Sequence, residues 1–435
     1  MGFYNTENWP EKSNYYRFPW SNNDNPISWL EITDICNIYC KGCYRKNVSG
    51  HRDIDVLKEE VDFFKRVRNT DGISIAGGEP LVYPRIAELV EYIASRGIKP
   101  VIISNTYALN RENCRDLYKA GLYGITCHID MLQDRPDVPE GSTELDIMAL
   151  RQEKADLLYD VTRGNMNVVM NSTVYHENFQ YLPDIVKWAR KNVRKVHGLV
   201  FICYRGIPIK DGVSWDVEAV QDNPGPGIKE NIQYTEADVS QIDITSVDIY
   251  NLLKDNFGES YEPSAYLGGT GHILDYKWWA AVQVMERNGR VYGCVGPKTM
   301  EYLQTRNHRK KGTYFAYMRK NRLPRIAMQL TGFVGDKRMR PVRQRMLPRL
   351  FNPVMWFRPV YTQTVGIVQA PDMMDNGMAS MCESCPDMCV WEGNLVNSCR
   401  LDEYRKYGRL MNAIVHTDTK ESDKREVPAT RVESD

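Results

Sequence analysis

Apolar positions along the first half of the chain fall into two alternating rhythms. Residues 27–33 have strand character, and 53–69 then carry apolar side chains at helical spacing, at Val56, Leu57, Val61, Phe64 and Val67. Gly72–Ala76 follows as a strand, Ile86–Ser95 as a helix, 100–104 as a strand, 111–120 as a helix and 124–129 as a strand. The rhythm runs on through a helix at 144–159, a strand at 168–175, a helix at Leu182–Lys191 and a strand at 197–204. Six strands alternating with helices predict an α/β fold with a parallel sheet and right-handed crossovers. Six units rather than eight predict a partial (β/α)6 TIM-like barrel over residues 26–205, open along one side.

The flanks differ. Residues 1–25 are polar and aromatic, an arm over one end of the barrel. Residues 206–277 lose the rhythm and read as a connecting cap, loop-like over 208–226 and helical over 236–257. A hairpin turned at Asn288-Gly289 opens a C-terminal α+β extension, 278–416. The tail, 417–435, is charged and free of aromatics, the composition of a disordered segment.

Functional groups of such folds gather where strands end and loops begin. Cys36, Cys40 and Cys43 follow the first strand, Gly77-Gly78-Glu79-Pro80 the second, and Ser104, Asn105 and Thr106 the third. His128 and Asp130 end the fourth, and Asn171, Ser172 and Thr173 lie along the fifth. Singly, each has a bland explanation as a turn, a helix cap or a satisfied core pair. Together they share one rim, which makes them a candidate site.

Cys36-x3-Cys40-x2-Cys43 puts three thiols on one loop. Such a triplet can hold three irons of a cubane [4Fe–4S] cluster and leave the last iron open to a small molecule. A zinc knuckle is the competing reading, but no Cys or His follows until His51. A disulfide framework fits poorly with a long chain that has no secretory pattern. Cys114, Cys127 and Cys203 fall in or beside core elements and read as buried small residues.

With both motifs on successive strands, the stretch 26–205 resembles the radical S-adenosylmethionine enzymes. Cys36, Cys40 and Cys43 look like that family's cluster loop, and Gly77, Gly78, Glu79 and Pro80 like its second-strand motif, which holds the methionyl amino group. The resemblance implies a [4Fe–4S] cluster whose open iron chelates S-adenosylmethionine. It also implies anaerobic reductive cleavage to a 5′-deoxyadenosyl radical, with a flavodoxin- or ferredoxin-like reductase as electron donor. It carries ribose and carboxylate contacts onto Ser104, Asn105, His128, Asn171 and Ser172. The family's aromatic residue before the third cysteine is absent here, where Gly42 stands, as in some lipid-acting members. Tyr39 or Tyr44 is the candidate to replace its adenine contact.

Further on, Gly289-x4-Cys294 resembles the start of a SPASM or twitch extension, which Cys382-x2-Cys385-x3-Cys389-x9-Cys399 would complete. Five cysteines exceed the four that one auxiliary [4Fe–4S] cluster needs, so one is spare. A structural zinc is the alternative.

The 435 residues have formal charge zero, but the zero hides an asymmetry. Between 305 and 360, fifteen Lys and Arg face one acid, Asp336, and large apolar groups such as Met339, Met346, Phe351 and Trp356 are mixed among them. Arginines around an apolar patch suit the interface of an anionic bilayer. An acidic peptide would also be attracted, and nucleic acid less so. No apolar run reaches the roughly 18 residues of a membrane span, so the expected location is cytoplasmic, peripheral at the inner face of a membrane. The expectation is hydrogen abstraction from an unactivated carbon of a large anionic substrate, a membrane lipid first. A peptide-modifying maturase comes second, and a non-catalytic, membrane-associated metal module is the reading of another class.

Overall fold

The computed structural model describes residues 9–43, 50–204, 213–215, 244–271, 276–318, 335–356, 358–373, 379–411 and 413–415. Tyr44, the predicted tail 417–435 and the basic residues Arg319, Lys320, Arg322 and Arg325 lie outside the described residues.

The main sheet starts from a short edge strand, β1 (Tyr16–Arg17), and from β2 (Ile27–Glu31) at its opposite edge. Strands β3 (Gly72–Ala76), β4 (Lys99–Ser104), β5 (Gly124–His128), β6 (Asn167–Val174) and β7 (Gly198–Cys203) continue from β2, each parallel to its neighbour. The crossover helices are α1 (Ile54–Val67), α2 (Ile86–Ser95), α3 (Arg111–Lys119), α4 (Met148–Thr162) and α5 (Leu182–Lys191). This parallel core is the predicted partial barrel.

Local chemistry explains these elements. Asp53 caps α1 by accepting from the Asp55 and Val56 amides, and Ile54, Leu57, Val61 and Phe64 form its buried stripe. β3 is buried at every position, as expected of a parallel strand with both faces covered. Helix α4 begins later than the predicted residue 144, because Thr143 and Asp146 close a turn there by side-chain bonds.

The sheet does not stop at residue 205. Beyond α6 (Ser246–Phe257), strands β8 (Ala265–Gly268), β9 (Tyr276–Met285) and β10 (Val291–Cys294) join it, with α7 (Pro297–Lys311) and α8 (Arg340–Met346) following. β11 (Tyr361–Gln369) adds a further parallel strand beside β7, and β9 pairs antiparallel with it. The order is β1-β8-β9-β11-β7-β6-β5-β4-β3-β2, with β10 on β9, eleven strands in all.

The last described segment spans the open side between the two sheet edges. Cys382 bridges Gly269 next to β8, and Glu383 ion-pairs with Arg17 of β1. Toward the other edge, Asn25 donates to the Ser384 carbonyl. Arg68, fully buried, donates to the carbonyls of Ile27, Asn22, Cys385 and Pro386. A hairpin of β12 (Met388–Trp391) and β13 (Asn394–Asn397) then packs along β2. Below the sheet, Tyr317 closes the floor. Its hydroxyl lies 2.9 Å from Ser74 Oγ, and its carbonyl accepts from Lys99 Nζ at 3.2 Å. Among the described residues, no helix is long and apolar enough to cross a membrane.

Candidate active site

Period-two alternation sorts the barrel strands into two faces. On β6, Asn167, Val169, Asn171 and Thr173 line an internal cavity, while Val168, Met170 and Val174 join the apolar core under the helices. The cavity, about 1640 Å³, is also lined by Cys36, Cys40 and Cys43, by Gly77, Gly78 and Glu79, and by Ser104, Asn105 and His128. The structure therefore brings most of the predicted rim together.

The cysteine loop is clamped from two sides. On one, Gly78 N donates to Thr33 O at 2.7 Å and Glu79 N to Ile35 O at 2.8 Å. The approach is too close for any side chain: a Cβ on Gly77 would lie 2.3 Å from Thr33 O, and one on Gly78 2.1 Å from Ile35 O. Gly77 also has φ +130°, a region that favours glycine. On the other side, Tyr39 and Cys40 pair as a short ladder with Gln133 and Asp134. Gln133 Nε2 donates toward Cys40 Sγ at 3.6 Å, and Asn105 Nδ2 toward Cys36 Sγ at 3.7 Å.

Glu79 is buried and accepts from Ser104 Oγ (2.7 Å), Leu81 N (2.9 Å) and Asn105 N (2.8 Å). Burial raises its pKa, and those three donors oppose the rise. Its carboxylate thus ties the ends of β3 and β4 into one unit, with the buried Pro80 starting a short turn behind it. His128 Nε2 lies 2.9 Å from Asp130 Oδ2 and 3.1 Å from Thr173 Oγ1. Among the described residues, Asn171 Oδ1 is buried with no hydrogen-bond partner and lines the cavity, an acceptor left for something in the lumen.

Some predicted residues are placed elsewhere. Ser172 faces away from the lumen, donating to Ile129 O at 3.0 Å within a buried network around the Arg151–Glu144 ion pair. Tyr39 lines the cavity but is 61% exposed. Beside Gly42 the room is taken by Tyr175 and Tyr204, whose rings stand 5.0 Å apart. A Cβ on Gly42 would meet Tyr175 Oη at 2.7 Å and Tyr204 Cδ2 at 3.1 Å. Both tyrosines end strands that the rim rule already covered. Gln133 and Arg135 were missed as well; Arg135 holds the Asn105 carbonyl at 2.6 Å. Their signal was the polar run that follows the fourth predicted strand.

The three front thiols are not disulfide-bonded. Burial pushes the Cys40 thiol up most, with contributions from Asp130, Cys43 and Cys36; Cys36 is also raised by burial. A free thiol here resists losing its proton, and positive metal would reverse that preference. Loose N–H donors at two sulfurs, a cradle that no Cβ could share, and the unpartnered Asn171 acceptor fit a thiolate-bound cluster with a polar ligand over it.

At the rear, Cys382, Cys385 and Cys399 line the same cavity. A hydrogen bond to Cys385, then burial, push the Cys382 thiol well up, with Cys399 adding to the rise. Cys389 is buried in a separate small cluster with Val396 and Leu401. Cys294 stands away from that group, opposite Gln283 on β9, where it accepts from Glu262 N at 3.2 Å. Among the described residues, no three Cys, His, Asp or Glu side chains converge tightly enough for a single metal ion. Cys114, Cys127 and Cys203 are buried in the main core, as the sequence predicts.

Residues 30–189 match the model of the Radical SAM superfamily. The chain is 26% identical over 164 residues to a probable GTP 3',8-cyclase of Methanocaldococcus jannaschii, covering 37% of this chain and 54% of that one. It is 25% identical over 166 residues to a tungsten-containing aldehyde ferredoxin oxidoreductase cofactor-modifying protein of Pyrococcus furiosus, covering 37% and 47%. To an AdoMet-dependent heme synthase of Oleidesulfovibrio alaskensis it is 25% identical over 169 residues, covering 37% and 41%. The chain thus spans about half the length of these curated relatives. Among solved structures, Streptococcus suis SuiB bound to S-adenosylmethionine aligns at 17% identity, TM-score 0.35, over 42% of each chain. The structure of anSMEcpe with AdoMet and the Cp18Cys peptide aligns at 14% identity, TM-score 0.36, over 53% of this chain and 58% of that one.

Proposed function

We propose that this chain, whose residues 30–189 form a Radical SAM superfamily domain, reductively cleaves S-adenosylmethionine and abstracts hydrogen from an unactivated carbon of an anionic membrane lipid. The observation that carries the radical chemistry is the single hydrogen-bonded unit made by the cysteine loop and the Gly77–Gly78–Glu79 turn at the mouth of one cavity. Cys36, Cys40 and Cys43 would hold a [4Fe–4S] cluster, which together with S-adenosylmethionine would supply the radical chemistry. The chain's own residues orient and shield. Asn105 and Gln133 direct N–H groups at two sulfurs and favour their thiolate form. Asn171 offers its unpartnered carbonyl to a ligand donor, and Tyr317 bonds Ser74 at the inner end of the cavity. Tyr175 and Tyr204 occupy the side of the loop that Gly42 leaves open.

Cys382, Cys385 and Cys399, on the same cavity, support an auxiliary [4Fe–4S] cluster facing the substrate space. Of the two other rear cysteines neither lines that cavity: Cys389 packs with Val396 and Leu401, and Cys294 stands beside Glu262 and Ser260. A flavodoxin- or ferredoxin-like reductase supplies the electron.

For the substrate, the support is a surface feature. Leu347, Phe351 and Val354 are exposed at 49%, 81% and 64%, side by side in sequence with Arg340 and Arg358, which are also exposed. Exposed apolar groups flanked by arginines suit a peripheral position on an anionic bilayer. Not every arginine of the basic stretch is available for this. Arg345 pairs with Glu259, Arg338 with Glu262, and the buried Arg349 bonds Tyr292 and two carbonyls.

The test is anaerobic turnover of reconstituted protein with reductant, S-adenosylmethionine and vesicles of chain-deuterated phosphatidylglycerol. Deuterium in 5′-deoxyadenosine is the expected result, lost in Cys40→Ala. Cleavage that persists in Cys40→Ala refutes the cluster assignment, and 5′-deoxyadenosine formed without deuterium refutes the lipid.

A further inference from the structure

The cavity is larger than an ordinary small-molecule site. Ordinary small-molecule sites occupy roughly 300–1,000 Å³, and this one is about 1640 Å³. Away from the cysteine loop it widens into an apolar chamber. Phe18 and Trp20, stacked at 4.2 Å, form one wall; Val284, Met300, Val342 and Met346 complete it. All six are buried, so the chamber belongs to the interior and not to a surface groove.

The chamber's cover is α8, which is two-sided. Val342 and Met346 face the cavity, whereas Arg340, Arg343 and Arg345 do not line it. Next to it, α7 contributes Lys298 and Arg306, both exposed and both lining the same cavity. Among the described residues neither is in an ion pair; Arg306 only lies over the Tyr302 ring, 5.9 Å from its centre. Asp336 lines the cavity as well, but its two carboxylate oxygens already accept from the Thr299 and Arg338 amides, which leaves Lys298 and Arg306 to set the charge offered to a ligand, and a cationic rim on an apolar chamber selects one kind of occupant. A nucleotide or a polar peptide would leave hydrogen-bonding groups unpaired on the apolar walls. A hydrocarbon chain would leave none, and an acidic head would find Lys298 and Arg306 at the rim.

We infer that the chamber takes a single hydrocarbon chain of an anionic amphiphile, with its acidic head held at Lys298 and Arg306. The inference rests on the lipid reading above and deepens it. Adsorption to a membrane surface involves the exposed Leu347, Phe351 and Val354. Chain binding takes place inside the barrel, in a space continuous with that lined by Cys36, Cys40 and Cys43. The carbon presented to the radical is then a chain carbon and not part of the head group.

The experiment is a fluorescence titration of the whole reconstituted protein, without S-adenosylmethionine or vesicles, using dansylaminoundecanoic acid as probe. The wild type is expected to bind it saturably, one per chain. Val342→Trp, which fills the chamber, should weaken binding at least about tenfold, the ratio that marks loss of a substantial contact. The paired change Lys298→Glu and Arg306→Glu alters exposed side chains only, and so stays informative if Val342→Trp fails to fold. It should weaken the acid by about tenfold, as expected when a rim charge is reversed, and leave the neutral alcohol analogue unchanged. Absence of saturable binding by the wild type overturns the inference. So does binding of the acid that is unaffected by the charge reversal. Probe binding without deuterium transfer from lipid would sink the proposed reaction and spare the chamber; deuterium transfer without probe binding would do the reverse.

Discussion

Gly78→Ala tests the coupling between the glycine turn and the cysteine loop most directly. Its added Cβ would lie 2.1 Å from Ile35 O and 2.5 Å from the Ile35 carbonyl carbon, with the Asp34 carbonyl carbon at 3.0 Å. These are backbone atoms and cannot turn aside as a side-chain tip would. One of the two strands of the clamp must move, which breaks the Gly78–Thr33 and Glu79–Ile35 hydrogen bonds. Each bond is worth about 0.5–1.5 kcal/mol, and overpacking a well-filled site costs about 1–3 kcal/mol. A total of about 2–6 kcal/mol follows, concentrated on residues 33–36. The assay pairs thermal melting of the apoprotein with iron content and visible absorbance after anaerobic reconstitution. Gly97→Ala is the control: Gly97 has φ +77° but nothing within 4 Å of its Cβ, so it carries backbone strain without a clash. The expected pattern is poor front-cluster loading in Gly78→Ala and normal loading in Gly97→Ala. Wild-type melting and loading in Gly78→Ala would refute the clamp.

Three other substitutions bear on the same region. Gly42→Ala should destabilise by about 1–3 kcal/mol through overpacking against Tyr175 Oη, and Tyr175→Phe in the same chain should restore part of the loss, measured by denaturant melts of the four combinations. Arg151→Leu leaves the buried Glu144 carboxylate without its guanidinium and should cost about 3–5 kcal/mol; Glu144→Gln added to it should recover stability in urea unfolding. Burial raises the Glu79 pKa above its ordinary 4.5, so the native state keeps a proton that the unfolded state releases. Stability therefore falls as pH rises from 4.5 through the native value, and Glu79→Gln should flatten that part of the stability–pH curve.

Much of the site was legible in the sequence because its signals are local. Cys36, Cys40 and Cys43 carry their meaning in their spacing. Gly77 and Gly78 stand at the end of a strand where only glycine permits the approach to Thr33 and Ile35. Other features have no local signal. Arg68 and Arg151 look like surface arginines, and only the carbonyls and the carboxylate brought to them from elsewhere in the chain make them buried anchors. Ser172 and Asn171 are neighbours, and which of them faces the lumen depends on strand parity. Parity is fixed by which side the helices cover.

What the sequence by itself determined is the alternation of β2 through β7 with their helices, since hydrophobic periodicity and caps act within a few residues. What only the tertiary structure decided is how the barrel is completed. β11 pairs with β7 across more than 150 intervening residues, and no composition or spacing announces such a partner. Arg17–Glu383, Arg68–Cys385 and the Gly269–Cys382 bridge carry the rear cysteines across the open side. Cys382, Cys385 and Cys399 thereby line the same cavity as the front cysteines, while Cys294, grouped with them by the resemblance of Gly289-x4-Cys294 to the start of a SPASM or twitch extension, packs beside Glu262 and Ser260. The reason is physical: long-range pairing is selected by which edges and surfaces remain uncovered once the local elements have formed, and that is a property of the assembled sheet.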